Sequence, residues 1–413
     1  MTTSFNQAQA DILCNINTLS TISVPLLEAS GQVLAEDIYA PHDLPLWNNS
    51  AMDGFAVRSE DCNNFFYLTV CGCVSAGESA EGITVKTGST VRIMTGAPIP
   101  EGCDAVIPFE NTEQDEEKIL IKFRIKPGQH VRHKGEDIKS GELAIQSGTV
   151  LGPSEVSLLA CFGKTSVSTY RQAKVAILAT GSELIEPGKK LSCGQITDGN
   201  SLALAAAIKE IGAIPMTLGI AKDDPEDLKK NMAKGLKADV LLTSAGISVG
   251  DKDFVKECLE QLQVKPIFWK VKLKPGQPTM FGLWQKKPVF SLPGNPVSTL
   301  LTFDQFVRPA LLKMMGHQHT TKPTVKAILQ SPHTKKADRV QLLRVLITKH
   351  GDQLIATSAG DQNTGILTTS LRANAIAILP AEKEYFPAGD TVQVQFLRPG
   401  QHLDAADLSQ LVA

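Results

Sequence analysis

Apolar positions near the start of the chain recur at helical spacing: Ile12, Leu13, Ile16 and Leu19 predict a helix over residues 7–19. The stretch VPLLEASGQVLAEDIYAP then reads as an extended segment, a glycine turn and a second helix or strand. From Leu46 the pattern shortens. Alternating runs such as FFYLTVCGCV, GITVKTGSTVRIM and KILIKFRIKPG, parted by Gly and Pro, predict a small all-β module reaching about residue 141. GPSEVSLLACFG (152–163) returns to helix, with Ser154 as the expected N-cap. Residues 173–316 alternate strand and helix. AKVAILATG, IPMTLGIA and ADVLLTSAG are buried-strand runs, while NSLALAAAIKEIG, PEDLKKNMAKGL and DKDFVKECLEQL are amphipathic helices. KPIFWKVKLKPG and KPVFSLPGNP read as further strands, and PVSTLLTFDQFVRPALLKMMG as a closing helix. After a linker, GHQHTTKP, residues 324–413 turn back to strands and predict a small C-terminal β-barrel.

This βαβ alternation implies a mainly parallel sheet covered on both faces. Ligands of such sheets bind beyond the carboxyl ends of the strands. The polar, glycine-rich segments fall at those ends: TGSE, SAGISVGDKD, KPGQP and LPGNP. The expected fold class is therefore α/β plus β: a central, mostly parallel α/β domain flanked by N-terminal β-rich modules and a C-terminal β-barrel.

Composition narrows the function. The 413 residues suit two to four domains. A net charge of −2 shows no basic excess, which argues against a nucleic-acid partner. No apolar run approaches the roughly 20 residues of a bilayer span, so no membrane association is expected. The N-terminus lacks a basic start followed by an apolar stretch, and a cytoplasmic location is the expectation. Eight scattered cysteines, with no CxxC pair and no zinc spacing, read as reduced thiols.

Each candidate motif has a plain structural reading beside a chemical one. Glu183 in TGSEL is either a helix-capping carboxylate or a ligand for a metal or a substrate hydroxyl. In SAGISVGDKD, Gly246 and Gly250 let backbone approach a ligand, while Asp251 and Asp253 either complement a helix dipole or join Asp223 in a hard-cation site. Lys270, Lys272 and Lys274 stand at period two on one strand face, either as a solvated edge or as an oxyanion clamp. Pro293 and Pro296 stiffen LPGNP, with Asn295 able to cap. Ser50 and Asp53 in NNSAMDGFAV, Thr95 in RIMTGAPIPEG and Asp137 in HKGEDI lie in ordinary turns and carry no function on their own pattern.

Taken together, NSAMDGFAVR, VRIMTGAPIPEGCDAVIPFE, HKGEDI, ATGSEL, GISVGDKDF, FWKVKLKPGQP and LPGNPVS closely resemble the molybdopterin molybdenumtransferase (MoeA) family, which includes the E domain of gephyrin. They occur in family order over nearly the whole chain. The resemblance implies a four-part subunit: residues 1–45 with 142–172 as a discontinuous linking domain, 46–141, 173–318 and 323–413. It implies an elongated homodimer with an active site shared between subunits, and insertion of molybdate into adenylylated molybdopterin with Mg²⁺ and release of AMP. Molybdopterin adenylyltransferase and apo-molybdoenzymes are the implied partners. By position, the resemblance assigns catalytic roles to Asp53, Thr95, Asp137 and Glu183. It assigns substrate binding to Asp223, Gly246, Ser248, Asp253, Lys270, Lys274, Pro293, Pro296 and Arg339, and the metal to Glu183, Asp223 and Asp253. Thr368, Thr369 and Ser370 resemble a hydroxyl-bearing segment near the cleft. The chain departs from the family pattern at Ala245, Ser291 and Thr364. The rival activities are a molybdopterin adenylyltransferase, whose sheet and loops the middle domain shares, and a gephyrin-like scaffold. The absence of a long linker argues against the scaffold.

Overall fold

The computed structural model describes residues 2–64, 67–115, 117–246 and 254–397. The chain forms two compact units, Met1–Ala35 with Gly148–Gly152 and Ser166–Ala413, and Glu36–Ser147 with Pro153–Thr165.

The larger unit begins with α1 (Phe5–Cys14), whose Ser4 side chain accepts from the Gln7 amide at 3.2 Å and buries Phe5, Ala8 and Ile12 on one stripe. The helix is shorter than the 7–19 pattern, because Asn15 ends it and Leu19 turns back to bond the Met314 carbonyl. A six-stranded sheet follows, built from β1 (Lys174–Thr180), β2 (Ile214–Ala221), β3 (Val240–Ser244), β4 (Lys265–Phe268), β5 (Met280–Trp284) and β6 (Lys287–Leu292). Its order is β2-β1-β3-β6-β5-β4; the first four run parallel, and β5 and β4 are antiparallel additions at one edge. The helices α2 (Asn200–Glu210), α3 (Pro225–Gly235) and α4 (Phe254–Gln261) cross over between strands. α3 has a complete start signal: Asp224 accepts from Asp227 N at 2.9 Å and Pro225 takes the first turn. Lys287 closes its other end by donating to the Leu236, Lys237 and Ala238 carbonyls.

One apolar cluster covers each face of the sheet. Val175, Ile177, Leu242 and Phe290 join one cluster; Ala176, Leu178, Leu241 and Val289 join the other. The closing helix is three pieces: α5 (Pro296–Thr302), a π-helical turn (Phe303–Val307) and α6 (Arg308–Met314). Pro309 explains the interruption. It has no N–H for the carbonyl of Gln305, which instead accepts from Gln9 Nε2 on α1 at 3.2 Å.

The C-terminal barrel closes from five strands, β7 (Val325–Leu329), β8 (Val340–His350), β9 (Gln353–Ser358), β10 (Ala375–Leu379) and β11 (Thr391–Phe396), with β8 pairing both β9 and β10. α7 (Thr368–Arg372) precedes β10.

The smaller unit is built on a six-stranded sheet, in the order Ala105–Pro108, Gly54–Val57, Ser89–Ile93, Tyr67–Val74, Lys118–Ile121, Thr112–Asp115. Gly54 is required there, since a Cβ would stand 2.0 Å from the Ile107 carbonyl oxygen. The helix Pro153–Cys161 belongs to this unit and begins at Pro153, so Ser154 lies inside its first turn rather than at its cap. All eight cysteines are free thiols, and burial pushes Cys62 and Cys103 up to about 12. No helix among the described residues is long and apolar enough to cross a membrane.

Candidate active site

The loops at the carboxyl ends of β1, β2, β3 and β6 form a rim. After β1, Gly181 sits at φ +146°, and Glu183 folds back so that a Cβ on Gly181 would lie 2.7 Å from Glu183 Oε2. The next loop is clasped to it reciprocally. Ser182 N donates to Asp223 Oδ2 at 3.0 Å, and Asp223 N donates to Ser182 Oγ at 3.2 Å. Two carboxylate-bearing loops are thereby held side by side. Both acids keep solvent contact, Glu183 being exposed and Asp223 half-buried.

Asn200, at the start of α2, ties two further loops together. Its Nδ2 donates to Ser244 Oγ at 3.0 Å and to the Gly294 carbonyl at 2.8 Å. Pro293 and Pro296 make the rigid strand-to-helix turn expected of them. The Asn295 side chain makes no cap bond; Thr299 Oγ1 instead donates to the Pro293 carbonyl at 2.5 Å. Ala245 adopts φ +73°, a left-handed conformation that costs a non-glycine residue about 1–2 kcal/mol. Its Cβ lies 3.0 Å from where a Cβ on Gly294 would stand. Gly246 is also left-handed, and a Cβ there would lie 2.5 Å from Val255 and 2.7 Å from Thr180 Oγ1. Ser248 and Asp253 lie outside the described residues.

The three lysines of KVKLKPG do not share one strand. Lys270 pairs in parallel with Thr2, in a two-residue ladder. Lys272 forms an ion pair with Asp338 at 2.5 Å. Lys274 lies in a second short strand, Leu273–Lys274, that joins the barrel beside β8 with Lys274 opposite Gln341. The turn after it, at Gly276 (φ +105°), packs on α5: a Cβ there would lie 2.3 Å from Thr302 Cγ2.

Lys274 and Pro275 form one wall of an open cleft of about 430 Å³. Gln341, Leu342 and Arg344 of β8, with the loop Asp361–Thr364, form the rest. Arg344 builds that loop. Its side chain is buried, with the residue 2% exposed. Nη1 donates to the Ile366 carbonyl at 2.8 Å and to Ser370 Oγ at 3.2 Å; Nη2 donates to the carbonyls of Asp361 and Asn363, each at 3.0 Å. Burial pulls its pKa down, and Asp361 pulls the other way. Arg339 is not among the residues lining this cleft; its carbonyl accepts from Lys335 at 3.0 Å. Of the hydroxyl-bearing trio, Ser370 binds Arg344, Thr369 is buried and Thr368 is exposed. Thr364 lines the cleft. Arg344 is the charged cleft residue of β8 that sequence reasoning passed over, along with Gln341 and the loop residues Asp361, Gln362 and Asn363. A lone arginine within the apolar run 342–347 of β8 is the signal that could have found it.

In the smaller unit, Asp53 and Thr95 act as one group. Asp53 Oδ1 accepts from Thr95 N at 2.7 Å and from Thr95 Oγ1 at 2.8 Å, which holds this carboxyl below its ordinary range. Asp137 is exposed, with its backbone N donating to the Leu44 carbonyl at 3.1 Å. Asp43 caps the same turn by accepting from Ser140 N at 2.8 Å and pairing with Lys134.

No cluster of three or more His, Cys, Asp or Glu residues is placed to hold a metal among the described residues. Glu183 and Asp223 on their clasped loops are two hard oxygen donors. That set fits Mg²⁺, which takes one or two carboxylates and completes its shell with phosphate oxygens and water.

Comparison with known proteins bears on the whole chain. Residues 3–163 match the model for the MoeA N-terminal region (domain I and II), residues 176–313 that of a "Probable molybdopterin binding domain", and residues 326–397 that of the MoeA C-terminal region (domain IV). The chain is 38% identical over 384 residues to the molybdopterin molybdenumtransferase of Haemophilus influenzae, covering 92% of this chain and 93% of that one. It is 34% identical over 384 residues to molybdopterin molybdenumtransferase 2 of Mycobacterium tuberculosis, covering 90% and 94%. The crystal structure of the molybdopterin biosynthesis MoeA protein from Pyrococcus horikoshii OT3 superposes with a TM-score of 0.81 at 32% identity, over 96% of this chain and all of that one. With domain models in family order and relatives matched almost end to end, the chain belongs to the molybdopterin molybdenumtransferase (MoeA) family, transferases of molybdenum cofactor biosynthesis.

Proposed function

We propose that this transferase inserts molybdate into adenylylated molybdopterin, with a divalent cation, Mg²⁺, and release of AMP. The observation that carries the reading is the cleft lined by Lys274 on one side and by the Arg344-built loop of the barrel on the other. Lys274 is exposed and has no ion-pair partner among the described residues, so its charge is free for an oxyanion. A cleft of about 430 Å³ holds a tetrahedral oxyanion with room left for an organic ligand.

The chemistry asked of the chain is mostly placement. Bringing an oxyanion and a dithiolene together in one cleft removes the entropic cost of a bimolecular encounter. Lys274 and Thr364 orient the oxyanion, and Lys270 and Arg339 add positive charge without lining the cleft. Glu183 and Asp223, and Asp253 by its place in the motif, would hold Mg²⁺, which would supply positive charge against the phosphates of the substrate. Gly246, Pro293 and Pro296 shape the rim against the pterin nucleotide, which Ser248 would help to bind. Asp53, Thr95 and Asp137 act from a second copy of the chain in a homodimer. A cytoplasmic enzyme of this kind receives its substrate from the adenylyltransferase and hands its product to apo-molybdoenzymes.

The test is direct. Purified protein is incubated with adenylylated molybdopterin, Mg²⁺ and molybdate, and AMP release and reconstitution of an apo-molybdoenzyme are measured, with molybdate omitted as control. Molybdate-dependent release of AMP is expected, and Lys274→Ala lowers apparent molybdate affinity about tenfold or more, as loss of a charge-assisted contact should. Formation of AMP-pterin from ATP and molybdopterin, without molybdate-dependent turnover, would replace this reading with the adenylyltransferase one.

A further inference from the structure

The π-helical turn carries a polar ring that the reaction above does not use. Asp304 Oδ1 pairs with Lys322 Nζ at 2.7 Å, the two side chains being only 15% and 16% exposed. The Lys322 carbonyl accepts from Gln395 Nε2 at 3.2 Å. Gln395 Oε1 accepts from Gln305 Nε2 at 2.9 Å, and Gln305 Nε2 reaches back to Asp304 Oδ2 at 3.1 Å. The four residues thus close a cycle. Asp304 and Gln305 belong to the closing helix of the α/β domain, Lys322 to the linker, and Gln395 to the last strand of the barrel. Gln305 and Gln395 are both buried. Lys322 Nζ also donates to the Leu397 carbonyl at 2.9 Å. The turn itself is anchored from behind by Gln9.

The rest of this junction is largely apolar. Leu342 and Ile376 of the barrel are buried in the same cluster as Phe303, Phe306 and Leu292. Such contact is strong but non-directional, so it tolerates small rotations. A closed hydrogen-bonded ring does not, because any rotation strands a buried amide or charge. Further polar attachments of the barrel are the Lys272–Asp338 ion pair and the short ladder of Leu273–Lys274 on Val340–Gln341, extended by Val340 N donating to the Lys272 carbonyl at 3.0 Å. That ladder is one edge of the Lys274 cleft.

We infer that Asp304, Gln305, Lys322 and Gln395 are positioning residues: together they set the angle of the barrel on the α/β domain and so the spacing between Lys274 and the Arg344-built wall. The inference rests on the reading of that cleft as the oxyanion site. The π turn left by Pro309 carries Asp304 and Gln305 side by side, so that one bonds the linker and the other the barrel.

The test uses the full chain and Gln305→Leu/Gln395→Leu, which exchanges both amides for apolar groups of similar volume. The double variant should melt within a few degrees of the parent. Hydrogen exchange should nevertheless accelerate at least tenfold in peptides covering 270–280 and 338–343, with 174–180 and 240–244 unchanged. The dissociation constant for molybdate, titrated calorimetrically, should rise about tenfold. Asp304→Asn/Lys322→Gln, a neutral pair that can still hydrogen-bond, should keep near-parental exchange. Should the double variant fail to fold, Gln305→Met is read out in the same two ways. Exchange in both junction peptides within twofold of the parent would overturn the inference. If the parent itself binds no molybdate, the cleft reading falls, while the exchange comparison still decides the role of the ring.

Discussion

Replacing Arg344 with Met tests how the cleft wall is made. The substitution roughly keeps the length of the side chain and deletes four donated hydrogen bonds, to Asp361, Asn363, Ile366 and Ser370. Bonds from a charged donor contribute about 1.5–3 kcal/mol each, which would sum to a very large loss. Two facts reduce it. Asp361 and Asn363 are exposed, so water can reach their carbonyls. Gln362 still pins the main chain of residue 344, accepting from its N–H and donating to its carbonyl, each at 3.0 Å. A local cost of about 2–4 kcal/mol remains, or roughly thirtyfold to a thousandfold in the opening equilibrium of the loop. Hydrogen exchange of a peptide spanning 361–373 is the appropriate assay, because a chain of two units need not unfold in one step. The Asn363, Gly365, Ile366 and Ala373 amides all have acceptors there and report the opening. Arg344→Lys should recover only a small part, since a single ammonium cannot bridge both sides of the loop. The reasoning is refuted if exchange in Arg344→Met is unchanged while molybdate binding is lost. The guanidinium would then be meeting the ligand itself.

Three further outcomes are expected. Asp239 accepts both terminal nitrogens of Arg171, at 2.6 and 2.7 Å, and Lys174 N at 2.8 Å; burial pushes its carboxyl up, but these bonds outweigh burial and hold it below the usual range. Its stabilisation is therefore complete above an unfolded-state pKa of about 3.9 and is lost as pH falls through the lower folded value, so the deficit of Asp239→Asn, about 2 kcal/mol by urea titration, should hold from pH 7 to 5 and shrink below about pH 4. Gly294→Ala should destabilise by about 1–3 kcal/mol because of the 3.0 Å approach of the Ala245 Cβ, and much less in an Ala245→Gly background; additive effects within about 0.5 kcal/mol would show that the two loops do not touch. Asp53→Asn should keep both Thr95 bonds and the parental melting temperature, yet lower molybdenum transfer about a hundredfold by removing the charge; undiminished turnover would end its assignment.

Much of the fold was legible because burial has a period. Strands β1, β3 and β6 are nearly continuous apolar runs, and α3 announces its own start with Asp224 and Pro225. Strand β5 was not legible. Its hairpin to β6 turns on Gln285 and Lys286, both at positive φ, where Asn and Gly would have given a local signal. The π turn was also invisible, since it depends on Gln9 reaching the carbonyl that Pro309 leaves open, nearly three hundred residues away.

For the site the division is similar. The sequence by itself determined that carboxylates and a proline-stiffened turn would stand at the carboxyl rim, because TGSE and LPGNP directly follow buried apolar strands; it also put the lysines there, which the structure does not. Tertiary structure alone decided which of them meet. It sent Lys270 to the N-terminal strand, Lys272 to Asp338 and Lys274 to the barrel, and it placed Arg344 rather than Arg339 in the cleft wall. Period and composition record how deeply a residue is buried. Which partner it is buried against depends on pairings between distant segments, and no local pattern carries that information.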